Sequence, residues 1–521
     1  MAQFSFMRTG ILTILLLFLA LAPALAQKTV QLQKGAGKLI GGIRNGERIE
    51  RVIDNVVFVQ GTTTIYCDSA WFYRSKNKVE AFGRVRIVEG DSITITASRL
   101  EYDGNTKKAM LRNNVVFTKL ATATLYTNFL DYDRILNQAL YYNGGRLVDS
   151  INVLTSRKGY YNSNSNLASF KKDVTVTNPD YTMTADSLQY NSRTKIIHFV
   201  SQTTVVRKDS SSTIFESGSY NTITKTSDLQ EGIAQSQSYE LKGDSYAIDD
   251  VRKLYKVRGN VIMTYKEENL IIYGQKSDYD RIRNIAKIYD HAYVAKVTDE
   301  GDTLFMTADT LVSIDNIDPA KKRLLAYHNV KIFKNDLQGI ADSLEYRSAD
   351  STIYFYKDPV LWTDGNQMTA DSISMLIQNN TISKIFMVAN AFVISKDTLI
   401  NYNQIKGRRM TAEFGGNQLK RVVVEGNGES LYFALDEKTN TLTGMNKIIC
   451  SNIIIRFKQG KVNNLSFYVR PEANFIPPHE LKEDDNELSG FTWRSAERPV
   501  KSDVVKSPTL AEAPGRKRLG R

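Results

Sequence analysis

Cysteine is almost missing from this chain of 521 residues: only Cys67 and Cys450 occur, far apart in the sequence. A disulfide-stapled scaffold is therefore excluded. A bridge between the two would bring opposite ends of the chain together, so the expectation is two buried thiols. Histidine is nearly as scarce. His198, His291, His328 and His479 stand alone, with no H-E-x-x-H or other ligand cluster. No G-x-S-x-G elbow is present, neither cysteine sits in a nucleophile motif, and Gly35-Ala36-Gly37-Lys38 lacks the spacing of a phosphate loop. The residues thus point away from an enzyme and name no cofactor or metal. Proline is rare as well, and five of the ten prolines lie from Pro477 onward, which leaves the rest of the chain free to form uninterrupted strands.

Long apolar runs are missing too, except at the start. Arg8 precedes the run Ile11–Ala22, and Ala24-Leu25-Ala26 supplies a small-x-small cleavage pattern. Residues 1–26 read as a signal peptide cleaved before Gln27, with an uncleaved anchor helix as the alternative. Nothing later approaches the ~18 apolar residues of a spanning helix. The expected location of the mature chain is outside the cytoplasm. The formal charge of +12 comes from basic residues scattered along the chain. Export and scatter argue against nucleic acid. A diffuse basic surface suits an anionic ligand or a membrane face, and it also serves plain solubility.

What is abundant is repetition. TASRLEYD at Thr96–Asp103 is followed by NNVVF at Asn113–Phe117, and the first phrase returns as TADSLQYN (Thr184–Asn191), TADTLVSID (Thr307–Asp315), IADSLEYR (Ile340–Arg347) and TADSISML (Thr369–Leu376). Weaker copies stand at Cys67–Tyr73, Thr127–Asp133 and Gly274–Asp280. The second phrase returns as FGRVRI (Phe82–Ile87), KKDVTV (Lys171–Val176), RGNVIM (Arg258–Met263) and YHNVKI (Tyr327–Ile332). A period of about thirty residues marks a stacked repeat. Each phrase is rich in Thr, Val, Ile, Tyr and Phe with period-two alternation, so the class is all-β: an elongated repeat of stacked antiparallel strands. Ala185 and Leu188, three apart, cannot both face inward on a regular strand, which calls for a bulge or corner at Asp186-Ser187.

The aspartate that recurs in this phrase (Asp68, Asp186, Asp309, Asp342, Asp371) has two readings. A short acid followed by Ser or Thr suits a structural corner, and a row of carboxylates could also hold calcium. Even recurrence favours the corner. Residues 208–238 keep only a trace of the phrase, so an irregular unit or hinge is expected there. Residues 27–477 form the repeat domain, and residues 478–521, polar and proline-containing, read as a disordered tail.

In these phrases the chain resembles the OstA-like family, which includes the periplasmic lipopolysaccharide carrier LptA and the N-terminal domain of the translocon LptD. The resemblance runs from about Val52 to Tyr468. It implies a twisted β-jellyroll open along one side (a β-taco), with lipid A acyl chains in an apolar groove. It also implies end-to-end pairing with other transport proteins or a second copy. The implied function is that of a periplasmic carrier or bridge in lipopolysaccharide transport and outer-membrane assembly. Candidate groove residues are Leu100, Val115, Leu188, Val261, Leu311, Val330 and Leu344, although each could equally pack a closed core. The strand Arg51–Gln60, apolar and free of proline, makes Val56, Val57 and Phe58 the candidates for an open pairing edge. Two rival readings stand: an exported structural or adhesive β-solenoid, and a polysaccharide-cleaving β-helix enzyme with paired acids.

Overall fold

A computed structural model of the chain describes residues 29–505, except 91–92, 120–122, 150, 238, 267–268, 299–300, 364, 380, 416–417, 437 and 459–460. The expected signal peptide, residues 1–26, lies outside the described residues. The chain divides between Ser201 and Gln202 into two compact units. Both are built almost wholly of antiparallel strands.

In the first unit the strands Glu47–Gln60, Thr63–Tyr73, Lys78–Glu89, Ile93–Asp103, Lys108–Lys119 and Ala123–Asp133 lie side by side. Each is broken into two halves by a register slip near its middle. At the slip, two consecutive residues adopt left-handed backbone, as at Asp54-Asn55 (φ 62° and 51°) and Asn113-Asn114 (φ 61° and 53°). The second unit repeats the device at Gly259-Asn260, His328-Asn329 and Ala389-Asn390. Left-handed backbone costs an ordinary L-residue ~1–2 kcal/mol, and Asn and Gly bear it best. That is why Asn or Gly recurs at the start of the second sequence phrase, with Lys172-Asp173 (φ 65° and 53°) the exception.

The recurring aspartates sit opposite these corners. Asn329 Nδ2 donates to Asp309 at 2.8 Å and Asn390 Nδ2 to Asp371 at 3.0 Å, while the Asp309 and Asp371 amides donate to the carbonyls of His328 and Ala389. Asp68 takes Arg84 at 2.9 Å, and Asp186 takes the hydroxyl of Ser187. The Ser343 hydroxyl, then His328 and Lys357, hold the Asp342 carboxyl at about 2. The recurrence is thus a structural corner. It also answers the spacing problem, because the slip reverses the alternation: Ala97 and Leu100, or Ala341 and Leu344, are three apart and both buried.

The closing Asp or Asn of the first phrase has its own task. Asp133 Oδ1 accepts the amides of Ile135 and Leu136, and Asn191 Oδ1 those of Arg193 and Thr194. These turns then stack, with Gly104 donating to Asn77 O at 2.8 Å and Ser163 to Asn137 O at 3.0 Å. Across residues 208–238, where an irregular unit or hinge is expected, the strands lack the mid-strand slip of their neighbours. Ser212–Asn221, Thr226–Gln235 and Tyr239–Asp249 pair without any slip. Glycines replace the corner here, and the Tyr246 hydroxyl reaches over Gly232 to its carbonyl at 2.7 Å.

Two expectations are corrected. Strand Glu47–Gln60 is not an open edge at Val56, Val57 and Phe58. Lys38–Arg44 and Gln31–Leu32 pair along its outer side, Gln33 donates to Val57 O, and Val56 and Phe58 are buried. Among the described residues, Lys38–Arg44 pairs only with that strand, and Leu39 and Ile43 are exposed on it. The polar segment after Pro477 is not disordered as far as residue 505. It lies on the outer face of the second unit, where Leu488 joins Phe392, Ile394, Leu431, Phe433 and Met445. Buried side-chain amides hold its backbone: Gln404 bonds Asn486 O and Leu488 N, and Gln367 bonds Thr492 O and Arg494 N, all within 2.8 Å. Residues 506–521 lie outside the described residues.

Both cysteines are free and buried, and burial pushes the Cys67 thiol up to about 12. No helix among the described residues is long and apolar enough to cross a membrane.

The corner makes a direct prediction. Gly83 has φ 71°, and a Cβ there would stand 2.5 Å from Asp68 Oδ2. Gly83→Ala should cost ~1–3 kcal/mol, read as a lower urea midpoint with an unchanged slope. An unchanged midpoint would show that the corner tolerates a side chain.

Candidate functional site: the apolar interior and its two rims

The inward half of each strand builds one apolar interior per unit. All seven candidate groove residues face it, and each is between 0 and 3 % exposed. Leu100, Val115 and Leu188 belong to the first unit. Val261, Leu311, Val330 and Leu344 belong to the second, where the last three share one cluster with Ile272, Phe355, Leu361, Ile373 and Ile385. That cluster also holds Met263, Met306, Met368, Met375, Met387 and Met410, six of the chain's eleven methionines. A thioether side chain with three soft torsions adapts its shape where branched residues cannot.

The rims differ between the units. In the first, strands curl until their opposite ends meet. Gln60 closes its strand at one row of turns, yet its Nε2 donates to Gly104 O, in the other row, at 2.8 Å. Tyr102 donates to Gln60 Oε1 and accepts from Arg134 Nη1 at 3.1 Å. Arg134 Nε reaches Glu89 Oε1 at 2.9 Å, and Lys119 Nζ reaches Tyr161 OH at 2.9 Å. The Arg134 and Glu89 side chains are only 11 % and 20 % exposed. Burial alone would lower the Arg134 pKa; Glu89 and Tyr102 more than offset it, so the guanidinium stays charged. Burial first, and Glu89 second, raise the Tyr132 phenol.

In the second unit, Arg281 meets Asp209 across the rim at 3.4 Å. Further along that unit the positions beside the same row of turns are apolar and only partly covered: Leu324, Ile353, Ile377, Phe414, Leu419 and Phe457. An interior of aliphatic and thioether groups, with one stretch of apolar rim reaching solvent, can shelter hydrocarbon. No group of three or more His, Cys, Asp or Glu able to hold a metal ion occurs among the described residues.

Residues 30–186 match the family model described as OstA-like protein. Over that span the chain is similar to the OstA-like family. Among solved structures, LptH of Pseudomonas aeruginosa, described as the LptA-homologous periplasmic component of the conserved lipopolysaccharide transport device, is similar at 14% identity. The similarity covers 23% of this chain and 83% of that one, at a TM-score of 0.21. No curated protein matches the chain.

The sequence pattern supplies candidates for the interior but none for its rims. The one available signal is the tyrosine of the L-x-Y phrase, present at Tyr102 and Tyr132 and replaced by Met375 in TADSISML. Gln60, Glu89, Lys119 and Arg134 carry no local pattern, because their partners lie between 32 and 45 residues away. Removing one member of a buried ion pair strands the other. Arg134→Ala should therefore cost ~3–5 kcal/mol, whereas Glu89→Met with Arg134→Met should recover most of the loss in the same denaturant titration. If the single variant is neutral, the pair holds nothing together.

Proposed function

We propose that this chain is an exported, passive carrier or bridge in lipopolysaccharide transport to the outer membrane, holding acyl chains within its apolar interior. OstA-like proteins are transport proteins rather than enzymes, and the leader read from residues 1–26 fits a periplasmic station. The observation that carries the reading is the methionine-rich interior of the second unit with its partly exposed apolar rim. Each methylene kept from water is worth ~0.8 kcal/mol, so a lipid with several acyl chains needs continuous cover. Methionines that yield sideways make room without breaking a hydrogen bond. The rival structural solenoid draws on the tight packing of the same residues.

Photo-reactive side chains at Leu324, Ile353 and Phe414, and at the seven interior positions, should give lipopolysaccharide adducts in living cells. A probe at the solvent-facing Lys256 should not. Adducts at none of the ten positions would leave the solenoid reading in place. End-to-end pairing would use the exposed strand Lys38–Arg44 rather than Val56–Phe58. Ile40→Pro removes an N–H from that strand, so it should weaken assembly with a second copy or a partner while the melting temperature barely moves. Intact assembly in that variant would remove the strand from the interface.

A further inference from the structure

The closed rim of the first unit contains more charge than closure needs. The contact of Gln60 with Gly104 joins the two rows of turns without a charged group. Arg134 and Lys119 add two cations to the boundary between an apolar interior and solvent. They stand on opposite rims, since Arg134 follows the strand Ala123–Asp133 at one row of turns and Lys119 ends the strand Lys108–Lys119 at the other. Their present partners are oxygen groups of the chain itself: the Glu89 carboxylate and the phenols of Tyr102 and Tyr161. The interior beneath is apolar, with Val85, Ile87, Leu100, Leu111 and Leu130 all buried. An amphiphile with acyl chains in such an interior has its headgroup at this level.

We propose that Arg134 and Lys119 form a phosphate-recognition site at the rim of the first unit, for the phosphorylated headgroup of a multiply acylated lipid. Within the chain, Glu89, Tyr102 and Tyr161 are bonded to these two cations. This rests on the lipid-carrying reading above. A buried guanidinium requires an anion beside it. A phosphate oxygen satisfies it as a carboxylate does, with bidentate geometry available. Ligand binding is then an exchange of partners: the headgroup takes the two cations, and Glu89 turns to water. The rim opens without leaving a cation unpaired, and a neutral lipid gains nothing from the exchange. The site therefore selects for phosphate as well as for acyl chains.

The test uses the full chain and two fluorescent probes: a bis-phosphorylated, six-chain glucosamine disaccharide lipid, and the same lipid with both phosphates removed. Lys119→Gln and Arg134→Gln should each weaken binding of the phosphorylated probe on the order of tenfold and leave the dephosphorylated probe unchanged. Glu89→Gln, which removes the competing carboxylate, should tighten the phosphorylated probe alone. Lys119 is only partly buried and stands outside the buried pair, so its variant decides the matter even if Arg134→Gln melts early. Equal losses for both probes, or weaker binding of both in Glu89→Gln, would make the rim purely structural and overturn the site while the carrier reading stands. Binding of neither probe by the unaltered chain would overturn the carrier reading itself, and the site with it.

Discussion

Everything in this fold hangs on the corner at mid-strand. Two successive residues in left-handed backbone are unfavourable for L-amino acids, and the chain places them in strand after strand. The opposing acid or amide offsets the cost by binding both the corner's backbone and its Asn side chain, as Asp309 and Asp371 do. The return is geometric. Each slip turns the second half-strand so that its alternate residues face the same interior as those of the first half. One sheet thereby encloses an apolar interior and presents polar residues outside. Without the slip, residues three apart would fall on opposite faces, and the phrase A-D-S-L would bury only one of its two apolar members.

This explains what the sequence made legible. The repeat, the all-β class and the need for a break at Asp186-Ser187 all depend on residues a few places apart, so local pattern carries them, whereas the face that turns inward is set by the strand pairing and not by the pattern. The edge and the tail were misread for a common reason. Lys38–Arg44 contains Gly41 and Gly42 and has weak strand propensity, so Arg51–Gln60 looked like the first real strand, yet pairing along a ready edge compensates for propensity. The segment after Pro477 is polar in composition, but Leu488, Phe491 and Trp493 suffice to anchor it once Gln367 and Gln404 satisfy its backbone. A signal was present in the strands beneath it. Val360-Leu361-Trp362 is buried on both faces, and a strand apolar on both sides requires a second cover.

The rims were illegible for a different reason. Which residues meet across them depends on how far the strands curl, and curl accumulates over several strands. Glu89 and Arg134 come together only because three pairings intervene, each with a register slip. Nothing within a single phrase encodes that sum. The tyrosine of L-x-Y marks a rim position without saying what will stand opposite.

On the proposed carrier reading, the contrast between the two rims matches what each would have to do during insertion of a lipid. Parting Arg134 from Glu89 in a low-dielectric setting is costly unless another anion replaces the carboxylate at once. Parting Leu324 or Phe414 from neighbouring side chains exposes apolar surface, and hydrocarbon covers it again as readily as the protein did. A purely apolar rim admits acyl chains without regard to headgroup. A rim closed by a buried ion pair admits only a molecule that brings its own negative charge. The first unit thus has the chemistry for discrimination, and the second, with its methionines, has the chemistry for accommodation.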